Sequence, residues 1–127
     1  MQPIQITFER GPGYLRATCV GTFPTDCREA LHRIHAEAVR TEDTLALLDC
    51  YGLSEPASEM DRFDAGVALA EIFGCRIKVA VLYHSAHINK FAENVAVNRG
   101  GHVLVSGDAN TALSWLLGME TDAVSAT

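Results

Sequence analysis

Two short runs constrain this chain more than anything else in it. Leu45-Ala46-Leu47-Leu48 is apolar throughout, and Ile77–Tyr83 is apolar apart from Lys78. A strand with one wet face alternates, so an unbroken apolar run of this length reads as a strand covered on both faces, the usual condition of a parallel sheet. Parallel neighbours need a crossover of about a dozen residues or more, usually a helix. The chain supplies one between the runs, from about Ser58 to Phe73, closed by Gly74 where a left-handed residue costs least.

The remaining segments extend the same plan. Ile4, Ile6 and Phe8 alternate with Gln5 and Thr7, Gly11-Pro12-Gly13 makes a turn, and Tyr14–Val20 returns, so the chain opens with an antiparallel hairpin. Thr25 is placed to cap a first helix whose Cys27, Leu31, Ile34 and Ala38 share one face. Ile88, Phe91, Ala92, Val95 and Ala96 mark a third helix ended by Gly100-Gly101. Val103-Leu104-Val105 is a last strand, and Asp108 caps a final helix stopped by Gly118. The predicted architecture is one α/β domain over residues 1–118, in the order β-β-α-β-α-β-α-β-α, with a mixed, mostly parallel five-stranded sheet and a loose tail at 119–127.

Charge narrows the function. A net charge of −6 disfavours nucleic acid, whose phosphates call for clustered Lys and Arg. The acidity is local: within 42–71, eight carboxylates face one cation, Arg62, while the rest of the chain is near balance. No apolar stretch approaches the ~20 residues of a membrane span, and Met1–Phe8 alternates instead of forming a basic-then-apolar leader. The four cysteines, Cys19, Cys27, Cys50 and Cys75, form no zinc-like pairs and mostly sit in apolar runs. Reduced, packed thiols and a cytoplasmic location are expected.

The joint order of several segments carries a resemblance. The opening hairpin, Leu45–Asp49, RIKVAVLY over Arg76–Tyr83, FAENVAVNRGG over Phe91–Gly101 and VLVSGDANTALSWLLG over Val103–Gly118 together resemble the sulfate-transporter and anti-sigma-factor-antagonist (STAS) fold, specifically its SpoIIAA-like branch. That resemblance covers about residues 3–118 and implies a small regulatory module that binds partners or ligands, with no enzymatic activity and no cofactor. It also implies a phosphorylated serine at the start of the second helix in antagonist members. The nearest matching string here, Asp64-Ala65-Gly66, has alanine in place of the hydroxyl, which leaves Ser54 or Ser58 in the preceding loop. Glu55, Glu59 and Asp61 already occupy the positive end of that helix, so Ser58 with Asp61 also reads as a cap and acidic first turn.

The second helix is apolar over much more than one face. Phe63 and Val67 lie on one side, Leu69, Ile72 and Phe73 toward the other, and Asp61, Asp64 and Glu71 share the narrow remainder. Such a helix makes a second contact besides the sheet: either a neighbouring helix of the same domain, or a protein partner or second copy across an acid-rimmed interface of Phe63, Val67, Leu69, Ile72, Phe73, Asp61 and Asp64. Self-association as a homodimer is the expectation.

Ligands of parallel sheets bind beyond the carboxyl ends of the strands. That rule collects Asp49, Tyr51, Tyr83 and His84 as a candidate pocket for a small, lipid-like or otherwise apolar molecule, with Asp49 placed to orient loop N–H groups. Cys50 is a candidate nucleophile, but no cation adjoins it in sequence and Asp49 opposes its ionisation. His32 with His35, and His84 with His87, have metal-compatible spacing without a third ligand, so no metal is expected.

Overall fold

A computed structural model of the chain describes residues 3–22, 27–54, 59–84 and 90–118. The expected cap Thr25, the phosphorylation candidate Ser58, His87 and the tail at 119–127 lie outside them. The elements are β1 (Gln5–Gly11), β2 (Tyr14–Gly21), α1 (Cys27–Thr41), β3 (Leu45–Leu53), α2 (Glu59–Phe73), β4 (Lys78–Leu82), α3 (Phe91–Asn98), β5 (Val103–Ser106) and α4 (Ala109–Leu116). The strands stand in the sheet in chain order, β1-β2-β3-β4-β5. β1 runs antiparallel to β2, and β2 through β5 are mutually parallel. This is the mixed α/β sheet that the unbroken runs imply.

Alternation along the strands divides the interior in two. Ala46, Leu48 and Cys50 of β3, with Val79 and Val81 of β4, face α1, α2 and α3. Leu47, Ala80 and Leu82 point the other way, onto Ala112 and Leu116 of α4. Helix ends follow the expected chemistry. Gly74 closes α2 with a left-handed φ of 59°, and Asp108 caps α4 by accepting the Thr111 N–H at 2.8 Å.

Strand β3 runs five residues past its apolar run because its partner continues: Val20 pairs with Gly52 and Gly21 with Leu53. Helix α2 is held on both flanks. Gly66 lets α3 approach so closely that a Cβ there would stand 2.6 Å from the Ala92 carbonyl oxygen and 2.8 Å from Val95 Cβ. Arg28 of α1 pairs with Glu71 of α2 at 2.8 Å.

Candidate functional site

The helical side of the sheet is incompletely filled. A cavity of about 120 Å³ lies between the sheet and α1, α2 and α3, toward the carboxyl ends of the strands. Its floor is Cys19, Leu48, Cys50, Val81 and Val105, its roof is Leu31, Ala65, Leu69 and Ala92, and Leu53 and Tyr83 stand at the strand ends. The exposed wall is almost wholly carbon and sulfur. Small side chains explain the space. Ala30, Ala65 and Ala92 stand on the three helices where larger residues would fill it.

Three charged side chains also line the cavity, and all are engaged. Arg62 donates to Glu59 at 2.9 Å. Lys90 pairs with Glu93 at 3.0 Å and reaches the Val105 carbonyl at 2.5 Å, while Glu93 accepts the Val105 N–H at 2.7 Å. The start of α3 is thereby stitched to β5, with Lys90 itself in the left-handed region at φ 63°. Arg62 and Lys90 are thus each paired with a carboxylate.

Of the four residues expected to form a pocket, only Tyr83 lines this one. Leu48 and Cys50 line the cavity, whereas Asp49, Tyr51 and His84 are not among its lining residues. Asp49 accepts from Arg16 at 2.5 Å and from the N–H of Tyr51, within β3, at 3.2 Å. Tyr51 donates its hydroxyl to the Gly107 carbonyl at 2.7 Å. His84 is exposed, its ring 5.6 Å from that of Tyr83 and 6.0 Å from that of Tyr51. Tyr83 in turn donates to the Ser54 carbonyl at 2.7 Å, which leaves Ser54 exposed at the end of β3.

The residues expected on a partner-facing side of α2 divide as well. Leu69 and Phe73 are buried in the core, and His35 sits edge-on to Phe73 with ring centres 5.8 Å apart. Phe63 lies under the Arg99 guanidinium at 5.4 Å. Val67 and Ile72 are half-buried, Asp61 is half-buried and Asp64 is exposed. The second contact of α2 is therefore made largely within the domain, with α3. Sequence reasoning missed Gly66 in this role. Its signal was a glycine in a helix interior, which costs about 1 kcal/mol against alanine unless close packing uses it.

The thiols complete the site. Cys19, Cys27 and Cys50 all line the cavity and are free, and Cys75 is free and exposed. A hydrogen bond from the Cys50 thiol holds Cys19 below the ordinary thiol range, against burial and Asp49, with help from Arg33. Donating that bond, and burial, push Cys50 well above it. Burial chiefly pushes Cys27 up to about 11. The opposition of Asp49 to Cys50 is real, but it is the smallest of the influences on that thiol. Among the described residues, no three His, Cys, Asp or Glu side chains are grouped to hold a metal ion.

The whole arrangement has solved counterparts. An anti-sigma factor antagonist from Mycobacterium paratuberculosis superposes with a TM-score of 0.62 at 13% identity, over 89% of this chain and 93% of that one. An uncharacterised protein with a SpoIIAA-like fold from Shewanella loihica superposes with a TM-score of 0.53 at 23% identity, over 91% and 95% respectively. The fold is SpoIIAA-like. No family model matches the sequence, and no curated protein matches it. The STAS-type resemblance of the sequence segments thus extends to the fold of nearly the whole chain. Among the described residues no helix is long and apolar enough to cross a membrane.

Proposed function

We propose that this STAS-type chain is a non-catalytic, regulatory binding module whose ligand is a small, uncharged apolar molecule held between the sheet and α1, α2 and α3. The cavity carries the reading. The space is about 120 Å³ and half open to solvent, with apolar walls and a volume comparable to the ~150 Å³ cavity that accepts benzene. The paired state of Arg62 and Lys90 favours a neutral guest, since an anionic head group would have to displace Glu59 or Glu93. Four free thiols support a reducing, cytoplasmic setting.

Native mass spectrometry of the chain isolated from its own cells tests this, backed by titration with toluene and with benzoate. A co-purifying neutral molecule, or saturable toluene binding that benzoate does not match, supports the reading. Failure of both probes with no bound molecule defeats it.

A protein partner is a second reading, supported by the fold it shares with a protein described as an anti-sigma factor antagonist. On α2, Met60 is 62% exposed beside Asp61 and Asp64, with Phe63, Val67 and Ile72 at the margin. Homodimerisation, or phosphorylation at Ser54 or Ser58, would act through this end of the helix. Sedimentation of the wild type and of Met60→Glu separates the readings. Concentration-dependent association lost in the variant favours the partner surface, and a monomer throughout removes self-association.

A further inference from the structure

The two edges of the sheet are built differently. β5 is four residues long, and both backbone groups of its Val105 are occupied: the N–H donates to Glu93 at 2.7 Å and the carbonyl accepts from Lys90 at 2.5 Å. That edge is closed to a further strand there. β1, at the opposite edge, is seven residues long and pairs with β2 in unbroken register. It contains no bulge, lysine or proline, the usual devices that blunt an edge. Its two charged residues are drawn to their own chain, Arg10 to Asp43 at 2.6 Å and Glu9 to Arg16 at 4.0 Å. Among the described residues no strand lies beyond β1.

The hairpin sets which backbone groups are open. Gly11 and Tyr14 flank a two-residue turn and form its closing hydrogen-bonded pair, so the bonds to β2 fall on Gln5, Thr7, Glu9 and Gly11. Ile6, Phe8 and Arg10 therefore turn their N–H and C=O groups outward. The side chains of Ile6 and Phe8 pack against the core on the helical side, while exposed Gln5, Thr7 and Glu9 share the other face.

We propose that β1 is a self-association edge, pairing antiparallel with β1 of a second copy about a two-fold axis at Thr7. The occupant follows from the register. With the axis at Thr7, each Ile6 stands opposite Phe8 of the second copy, so both pairs exchange backbone hydrogen bonds and continue one apolar stripe beneath the helices. On the other face Thr7 meets Thr7, and each Gln5 amide meets a Glu9 carboxylate. An axis at Glu9 would oppose like charges, and one at Phe8 would set Ile6 against Arg10. An axis at Ile6 would leave only Gln5–Thr7 of β1 in overlap. One register is thus complementary throughout, and a second copy supplies it by symmetry. This surface is separate from the cavity and from the end of α2, and does not depend on either.

Sedimentation of the full chain over a concentration series, with amide hydrogen exchange read by NMR on the same samples, tests this. A reversible dimer is expected, with the Ile6 and Phe8 N–H groups gaining protection as concentration rises. Thr7→Lys sets like charges across the axis and should weaken the dimer at least about fivefold. Gln5→Lys, opposite Glu9, should strengthen it about fivefold, and Gln5→Glu should weaken it by as much. Adding Glu9→Gln to Gln5→Glu should restore the wild-type affinity. Both substituted side chains are exposed, and a gain with Gln5→Lys cannot come from a lost fold. A monomer at every concentration overturns the proposal. A dimer that Thr7→Lys leaves intact overturns it too, and loss in Met60→Glu alone would assign that dimer to α2. Protection of Ile6 and Phe8 that is independent of concentration also overturns it, because another segment of the same chain would then cover the edge.

Discussion

On one side of the sheet, Tyr14, Leu47, Ala80 and Leu82 close against Ala112 and Leu116 of the eight-residue α4, with Leu113, Trp115 and Leu117 around them. Trp115 is itself fixed, with the Lys78 amine 4.5 Å above its ring and His102 edge-on at 5.3 Å. On the other side, α1, α2 and α3 cover a larger core and leave a cavity in it. Both sides mix alanine with larger residues, Ala112 with Leu116 on α4, and Ala30 and Ala68 with Leu31, Ile34, Leu69 and Phe73 on the other helices. What distinguishes the second side is the cavity, where Ala30, Ala65 and Ala92 leave volume beneath the helices.

The largest test of that contrast is Gly66, which sets how closely α2 and α3 approach on the cavity side. Gly66→Leu should cost at least about 3 kcal/mol in urea denaturation, because the Ala92 carbonyl and Val95 have no room to yield. A cost below about 1 kcal/mol would mean that the helices separate easily and that the cavity has no fixed roof.

A matched pair of enlargements comes next. Ala112→Phe on the α4 side should destabilise by about 2–3 kcal/mol through overpacking. Ala65→Phe on the cavity side should be neutral or stabilising by up to about 1 kcal/mol, as cavity-filling changes are. Equal costs for the two would erase the distinction between the faces.

Asp43 should matter less, and without regard to the cavity. It is 7% exposed, accepts from Arg10 at 2.6 Å and from the Thr41 hydroxyl at 2.5 Å, and ties the end of α1 to β1. Asp43→Ala should cost about 2 kcal/mol by denaturation while ligand binding stays at the wild-type level. Weakened binding would show that this distant tie shapes the cavity.

The smallest effect belongs to Asp108. Its hydrogen bonds from the Thr111 hydroxyl and N–H hold its carboxyl below the ordinary 3.8. The unfolded chain therefore takes up this proton first as pH falls, so the contribution is complete above 3.8 and is lost as pH drops through the lower folded value. The small stability difference between wild type and Asp108→Ala should shrink across that window in denaturation at graded pH. A difference independent of pH would assign the cap to something other than the carboxylate charge.

The fold was legible because its signals are local. Leu45–Leu48 and the β4 run lack alternation, Gly74 and Asp108 punctuate helices, and the opening hairpin alternates as a half-buried pair should. The extension of β3 to Leu53 was not legible, because it depends on pairing with Val20 and Gly21 and not on hydrophobicity. The rule that points to the carboxyl ends of the strands reaches Tyr83, which lines the cavity, but not its helical residues, since only the helices decide which face holds the space. The convergence of Cys19, Cys27 and Cys50 was hidden, because they are separated in sequence and meet only where β2, α1 and β3 enclose the cavity.

The cavity lies on the α1, α2 and α3 side of the sheet, so a small neutral guest is expected there and not against α4. Methyl-detected NMR of the full chain titrated with toluene tests it most directly. Saturable shifts at Leu31, Leu69, Val81 and Val105, absent in Ala65→Phe and absent at Leu113, Leu116 and Leu117 in the wild type, are the predicted result. Shifts that fail to saturate, or that move the methyls of both faces alike, would contradict it.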